Sequence, residues 1–318
     1  MEKKTDISVV VPLYNEEDNV ARLVEAVARV MRPYAKAHKI AWELVAVDDG
    51  SRDATAAKLA QLAKKHPELM PVYFRRNFGQ TAAMQAGFDH ARGAVVVTID
   101  GDLQNDPADI PAMLAEMEKT GADIVSGWRK KRKDHALWRN FPSKIANRLI
   151  GKVTGVRIHD YGCSLKAYKA EVLEDLHIYG ELHRFIPAIA AQGGAKVVEM
   201  EVSHHARQFG ASKYGIDRTF RVVLDLLQVF FFQKFLHRPL HAFGYAGMVS
   251  FLSGFVGGVY LTAIKLTGAS IGGRPLLLLS VMLMIMGVQL VGMGLLGELL
   301  VRIYHEPKGR KVYRVKTK

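Results

Sequence analysis

Two carboxylates one residue apart, Asp100 and Asp102, close the run Ala-Val-Val-Val-Thr-Ile at 94–99. Aspartates around a glycine are ordinary turn residues. At the end of a buried strand, however, the same pair offers hard oxygen ligands to a divalent cation and to the phosphates it carries. Acidic, aromatic and basic side chains recur after other apolar runs: Tyr14 and Glu16, then Asp49, then Arg75. A run of cations, Arg129 to Lys133, is either a solvated loop or a loop that grips an anionic acceptor. The neighbouring His204 and His205 would point to opposite sides of a strand, which makes them a poor metal site.

These groups need elements that bring them to one place. Ile7 to Pro12, Trp42 to Val47, Val72 to Phe74 and Ala94 to Ile99 are apolar and β-rich. The first two and the third are followed by helical patterns that run to about Met31, from about Asp53 to Lys65, and from Gln80 to His90. Strands alternating with helices at this spacing predict an α/β fold, a mostly parallel sheet with helices on both faces. In such a sheet Tyr14, Glu16, Asp49, Arg75, Asp100 and Asp102 converge on the carboxyl edge. No Gly-x-Gly-x-x-Gly follows the first strand and no Gly-Lys-Ser/Thr loop is present, so a nucleotide would be held by other means than the two commonest phosphate loops. Further on, Asp106 to Thr120 reads as a helix, Ala122 to Trp128 as a strand, His183 to Ala191 as a helix and Lys196 to Val202 as a strand. Asp160 to Tyr168 is too polar and glycine-rich at its start for core.

The 318-residue chain carries a net charge of +13, which fits anionic lipid, a phosphorylated substrate or nucleic acid. With no zinc-finger spacing and no aromatic-interleaved RNA signature, nucleic acid would rest on charge alone and is not expected. Pro239 to Ile264 and Pro275 to Gly297 contain no Asp, Glu, Lys or Arg, and each matches the roughly 20 apolar residues that cross a bilayer. The expected organisation is a catalytic domain over 1–217, with an interfacial helix at 140–155, then a juxtamembrane amphipathic helix at 218–238. Two spans at about 239–265 and 275–300 follow, and a basic tail at 301–318 whose strand character suits exchange with a second subunit. The charged start and the basic flanks, Arg218, Arg221, Lys234 and Arg238 before the hairpin and Arg302, Lys308, Arg310 and Lys311 after it, place the domain and both termini in the cytoplasm. The single cysteine, Cys163, excludes an intrachain disulfide.

Val-Val-Pro-Leu-Tyr-Asn-Glu-Glu at 10–17, Val-Asp-Asp-Gly-Ser at 47–51, Arg-Asn-Phe-Gly-Gln at 76–80 and Asp-Gly-Asp-Leu-Gln at 100–104 occur in the order of the motifs they resemble, those of family 2 glycosyltransferases of GT-A fold. Arg207-x-x-Gly-x-Ser-Lys-Tyr resembles the phosphate-contacting loop of the polyprenyl-phosphate branch, and Gly292 to Tyr304 the end of its second span. The likeness runs from Ile7 to about Tyr313. It is nearest to bacterial undecaprenyl-phosphate 4-deoxy-4-formamido-L-arabinose and glucose transferases, with dolichol-phosphate mannose synthase more distant. It implies that Pro12, Tyr14, Glu16, Asp49, Arg75 and Asp100 contact a nucleotide-sugar, and that Asp100, Asp102 and Gln104 hold Mg²⁺ or Mn²⁺. Asp160 would be the carboxylate nearest the reacting atoms, and Arg129, Arg207, Ser212 and Lys213 would bind the acceptor phosphate, arginine bidentately and lysine as a point charge. The implied activity is inverting, metal-dependent transfer from a UDP-linked donor to polyprenyl phosphate at a bacterial inner membrane. A homo-oligomer such as a tetramer and a flippase partner are compatible with it. The rivals are a processive polysaccharide synthase, whose Gln-x-x-Arg-Trp precedes none of the three tryptophans, and a non-catalytic membrane scaffold.

Overall fold

The computed structural model describes residues 5–130, 156, 158–174, 176, 178, 182–206 and 239–305. Seven strands form one sheet: β1 (Ile7–Leu13), β2 (Trp42–Asp48), β3 (Leu69–Tyr73), β4 (Val95–Thr98), β5 (Ile124–Trp128), β6 (Lys166–Lys169) and β7 (Val197–Glu201). Their order is β3-β2-β1-β4-β6-β5-β7. β3, β2, β1 and β4 run parallel, β6 is antiparallel to both its neighbours, and β7 is parallel to β5. The sheet is therefore mixed, with its parallel half carrying the apolar runs that burial on both faces requires.

Alternation along the strands divides the core. Val9 and Val11 of β1, Leu44 and Ala46 of β2, and Val97 of β4 pack with α1 (Val20–His38), α2 (Thr55–Ala63) and α4 (Ile110–Thr120). Along α1 the buried Val20, Leu23, Val24, Val27 and Met31 recur at the spacing of one helical face. The opposite sheet face meets α3 (Gln80–His90). There Gly87 lies so close to Val10 that a β-carbon would overlap the valine side chain. Two short helices, α5 (Ala170–Leu173) and α6 (Ile186–Gln192), complete this part, α6 being preceded by a 3₁₀ turn at Leu182–Phe185.

β6 is the element that pattern reading missed. It overlaps the end of the 160–168 segment, whose start is too polar and glycine-rich for core, and it is an internal strand between β4 and β5. Its four residues, Lys-Ala-Tyr-Lys, show no apolar run, yet Lys166, Ala167 and Tyr168 are buried. The expected helices at 140–155 and 218–238 and the tail strand lie outside the described residues.

A second compact unit, Leu227–Lys318, holds α7 (Pro239–Leu266) and α8 (Pro275–His305). Within them Phe243–Leu266 and Pro275–Gly297 are long and apolar enough to cross a membrane, and only 22% and 11% of the respective apolar windows are buried. A soluble core helix would be mostly covered. Tyr245, Leu252, Phe255, Val259, Met282, Ile285 and Val288 are instead exposed, an apolar surface of the kind a bilayer covers. Small residues join the pair: a β-carbon on Gly247 would sit 2.7 Å from the Gly287 carbonyl oxygen, and one on Gly254 would sit 2.5 Å from that of Ser280. The seven-residue recurrence of Gly247 and Gly254, and of Ser280, Gly287 and Gly294, keeps these close approaches on one seam. Ser250 Oγ adds a hydrogen bond to the Leu283 carbonyl at 2.9 Å.

Candidate active site

The carboxyl ends of the parallel strands are stitched together by their own loops. After β1, Asn15 adopts φ 52°, donates its N–H to Ser51 Oγ (2.9 Å) and accepts from Arg52 N–H (2.8 Å). Glu16 N–H reaches Thr55 Oγ1 at 2.9 Å, and Glu17 and Asp53 side chains cap each other's segments. Tyr14 and Glu16 thus stand half-buried at this edge, with Glu16 Oε2 accepting from Asn19 Nδ2 at 2.7 Å. Pro12 pairs with Val47 just beneath them.

Asp49 is 3% exposed and works inside the protein. Its carboxylate accepts Phe78 N–H (2.7 Å), Gly79 N–H (2.9 Å) and Asn77 Nδ2 (2.8 Å), which pins the loop after β3 to the end of β2. Burial raises its pKa, and the Phe78 and Gly79 N–H groups oppose the rise. In the loop that Asp49 holds, Arg75 is exposed and Arg76 stacks 4.2 Å over the Phe78 ring. Gly50 makes this possible. At φ +65° it occupies the left-handed region, and a β-carbon there would overlap the Arg76 backbone and lie 2.7 Å from Asn77 N. Gly50→Ala is expected to cost on the order of 1–3 kcal/mol of stability. It should also weaken nucleotide binding, measured by denaturant unfolding and by calorimetry with UDP.

Asp100 and Asp102 sit where the loop after β4 folds over the end of β1. A β-carbon on Gly101 would be 2.5 Å from Leu13 Cδ2, so glycine sets this approach. Leu103 takes φ 58°, and the turn is closed by Gln104 N–H to Asp102 Oδ1 at 3.1 Å. Gln80, at the start of α3, donates Nε2–H to Asp100 Oδ1 at 2.9 Å. Burial and then the Asp102 charge raise the Asp100 pKa, while Ser164, Arg129 and Lys166 hold it down. Two adjacent carboxylates whose charges repel are a site with room for positive charge. No cluster of three or more metal-ligating side chains occurs among the described residues. That donor set still suits Mg²⁺ or Mn²⁺, because such ions use one or two carboxylates and complete their shell with phosphate oxygens and water. Gln104 is half-buried, and its carbonyl accepts His205 N–H at 2.8 Å.

Asp160 is 2% exposed and bound by Arg129 through two hydrogen bonds, Nε to Oδ2 at 2.7 Å and Nη2 to Oδ1 at 3.0 Å. Glu199 Oε1 accepts the N–H groups of His159 (2.7 Å) and Asp160 (3.1 Å) and so fixes the backbone beneath the pair. Burial works against the Arg129 charge, but Asp160 outweighs it and raises the arginine pKa. Arg129 was expected to meet acceptor phosphate; in this structure its fork is aligned by Asp160. Lys166, which no pattern singled out, is 3% exposed and donates Nζ–H to the carbonyls of Tyr161, at 3.3 Å, and Cys163. Ser164 Oγ donates to Asn105 Oδ1 at 2.9 Å, and Thr98 Oγ1 donates to the Ser164 carbonyl at 2.6 Å. Arg207, Ser212 and Lys213 lie outside the described residues.

Fold and site together define a glycosyltransferase domain of GT-A type, followed by a pair of apolar helices. The family model described as Glycosyl transferase family 2 matches residues 8–177, and the chain belongs to that family. It is 47% identical over 98% of its length to a dodecaprenyl-phosphate galacturonate synthase of Rhizobium johnstonii, covering 92% of that protein. It is 38% identical over 96% of its length to an undecaprenyl-phosphate 4-deoxy-4-formamido-L-arabinose transferase of Pseudomonas paraeruginosa, covering 87% of that protein. Among solved structures, the fold resembles glucosyl-3-phosphoglycerate synthase from Mycobacterium tuberculosis in complex with Mn²⁺, UDP and glucosyl-3-phosphoglycerate. That match has a TM-score of 0.56 and 15% identity, over 72% of this chain and 80% of that one.

Proposed function

We propose that this glycosyltransferase moves a sugar from a UDP-linked donor onto the phosphate of a polyprenyl lipid, at the cytoplasmic face of a bacterial inner membrane and with inversion at the anomeric carbon. The observation that carries this reading is the strand-edge cluster, where the half-buried Asp100 and Asp102 share one edge with the Arg129–Asp160 pair. Near-full-length similarity to two polyprenyl-phosphate sugar enzymes and the two apolar helices support the acceptor class.

Asp100 and Asp102 would hold Mg²⁺ or Mn²⁺, whose chemistry is to neutralise charge on a departing nucleoside diphosphate. The loops at 14–17 and 75–79, locked by Ser51 and Asp49, orient the nucleotide. A phosphate monoester carries about −1.5 to −2 charge at pH 7, so the acceptor is already a nucleophile. Asp160 then has no proton to remove, and its task is to aim the Arg129 guanidinium at phosphate oxygens. Arg207, Ser212 and Lys213 are proposed to grip the same phosphate.

The test is transfer by the full-length protein in liposomes containing undecaprenyl or dodecaprenyl phosphate, with UDP-, GDP- and dTDP-sugars, UDP-galacturonate among them. A lipid-linked sugar is expected from a UDP donor, and EDTA should lower the rate at least about a hundredfold until Mg²⁺ or Mn²⁺ is restored. Absence of lipid-linked product with every donor would overturn the reading.

A further inference from the structure

Lys166 sits where an apolar residue would cost nothing. It lies on the internal strand β6, opposite Thr98 of β4 and Ser126 of β5, inside the sheet and away from solvent. Burying an ammonium costs several kcal/mol unless it is well satisfied, and a methionine of similar length would fill the same space. Its Nζ turns back along its own chain to the carbonyls of Tyr161 and Cys163. These belong to the turn that begins at Asp160 and ends at Ser164. Each end of that turn touches a different part of the site: Asp160 holds Arg129, and Ser164 donates to Asn105 and helps hold down the pKa of Asp100. The turn is thus a bridge between the carboxylate end and the cationic end, and the ammonium ties down its middle.

We propose that Lys166 is a positioning residue for sugar transfer, holding the 160–164 turn so that Arg129 and Asp100 keep their separation across the site. It acts through the turn carbonyls and touches no substrate. This rests on the transferase reading above. A misplacement of about 1 Å in a reacting constellation costs on the order of a hundredfold in rate, whereas nucleotide contacts made by the 14–17 and 75–79 loops are untouched. The signature is therefore a fall in kcat with the donor KM retained.

The experiment uses the full-length protein in liposomes with polyprenyl phosphate and its active UDP-sugar, comparing Lys166→Met, Lys166→Arg and Lys166→Gln with the unaltered chain. Lys166→Met is expected to lower kcat about a hundredfold with the donor KM within about threefold of its original value. Lys166→Arg, which keeps a charge and several donors, should recover at least about tenfold over Lys166→Met. If Lys166→Met fails to fold, as judged by size exclusion and circular dichroism, Lys166→Arg is compared with Lys166→Gln, whose amide is shorter and uncharged. The same tenfold advantage is then expected. The proposal is overturned if Lys166→Met retains kcat within threefold, if KM carries the loss, or if arginine performs no better than methionine or glutamine. Failure of the unaltered chain to glycosylate any lipid phosphate would instead overturn the transferase reading, so the two failures are distinct.

Discussion

Asp102→Ala is expected to abolish lipid glycosylation, by at least about a thousandfold or ~4 kcal/mol, while leaving the protein folded and its helix pair inserted. The loss follows from the donor set. With two carboxylates at this edge and no third His, Cys, Asp or Glu clustered with them among the described residues, removing one halves the anionic charge the chain offers a cation. The retention of fold follows from electrostatics. The charge on Asp102 raises the pKa of its neighbour Asp100, so deleting it relieves repulsion. Against that gain stands the loss of the hydrogen bond from Gln104 N–H, worth about 1 kcal/mol. Manganese binding followed by electron paramagnetic resonance, beside transfer assays and thermal unfolding, separates these effects. Metal affinity and turnover should collapse together with the unfolding midpoint nearly unchanged. Equal turnover in Asp102→Ala would remove the metal from the mechanism.

Arg129→Met should produce the opposite combination, a large loss of stability as well as of activity. Its partner Asp160 has a side chain only 3% exposed, and the guanidinium supplies two of its hydrogen bonds. Breaking such a pair from one side leaves an uncompensated buried charge and costs about 3–5 kcal/mol. Replacing both members by apolar residues of similar volume is often neutral, so Arg129→Met with Asp160→Leu should regain most of the stability. It should regain none of the turnover, because the guanidinium proposed to face the acceptor phosphate is gone. Denaturant unfolding and transfer rates on the two variants decide this: a double variant that is both stable and active would reduce the pair to architecture. Asp160→Asn should slow transfer less than Asp102→Asn, since a phosphate acceptor needs little general-base help. An equal collapse would argue for a base, as a sugar-hydroxyl acceptor requires.

Much of this was legible before any coordinates. Strands buried on both faces must be continuously apolar, which is why β1, β2 and β4 stand out as runs, and α1 announces itself by its 3.6-residue repeat. The helix pair is visible because a bilayer excludes charge over some 20 residues. Asp100 and Asp102 are conspicuous for the same local reason, acid placed directly after such a run. Four motifs in order then made the family recognisable.

Other features depended on partners distant in the chain. Nothing near Asp49 announces that its carboxylate accepts the backbone N–H groups of residues 78 and 79. Arg129 opened a basic run that looked solvated or acceptor-facing, and its fork proved to be engaged by a carboxylate 31 positions away. β6 escaped notice because its lysine reads as a surface residue. What covers that lysine is a pair of backbone carbonyls, and carbonyls are common to every residue type.

The amino-acid sequence by itself thus determined the α/β class, the apolar hairpin, the metal-type carboxylate pair and the family. Each is a property of residues adjacent in the chain or repeated at a fixed period. Tertiary structure alone decided the antiparallel internal strand, the Arg129–Asp160 alignment and the buried ammonium of Lys166. These depend on which strand lies beside which, and strand order is settled by how whole faces pack together, with no local residue pattern to record it.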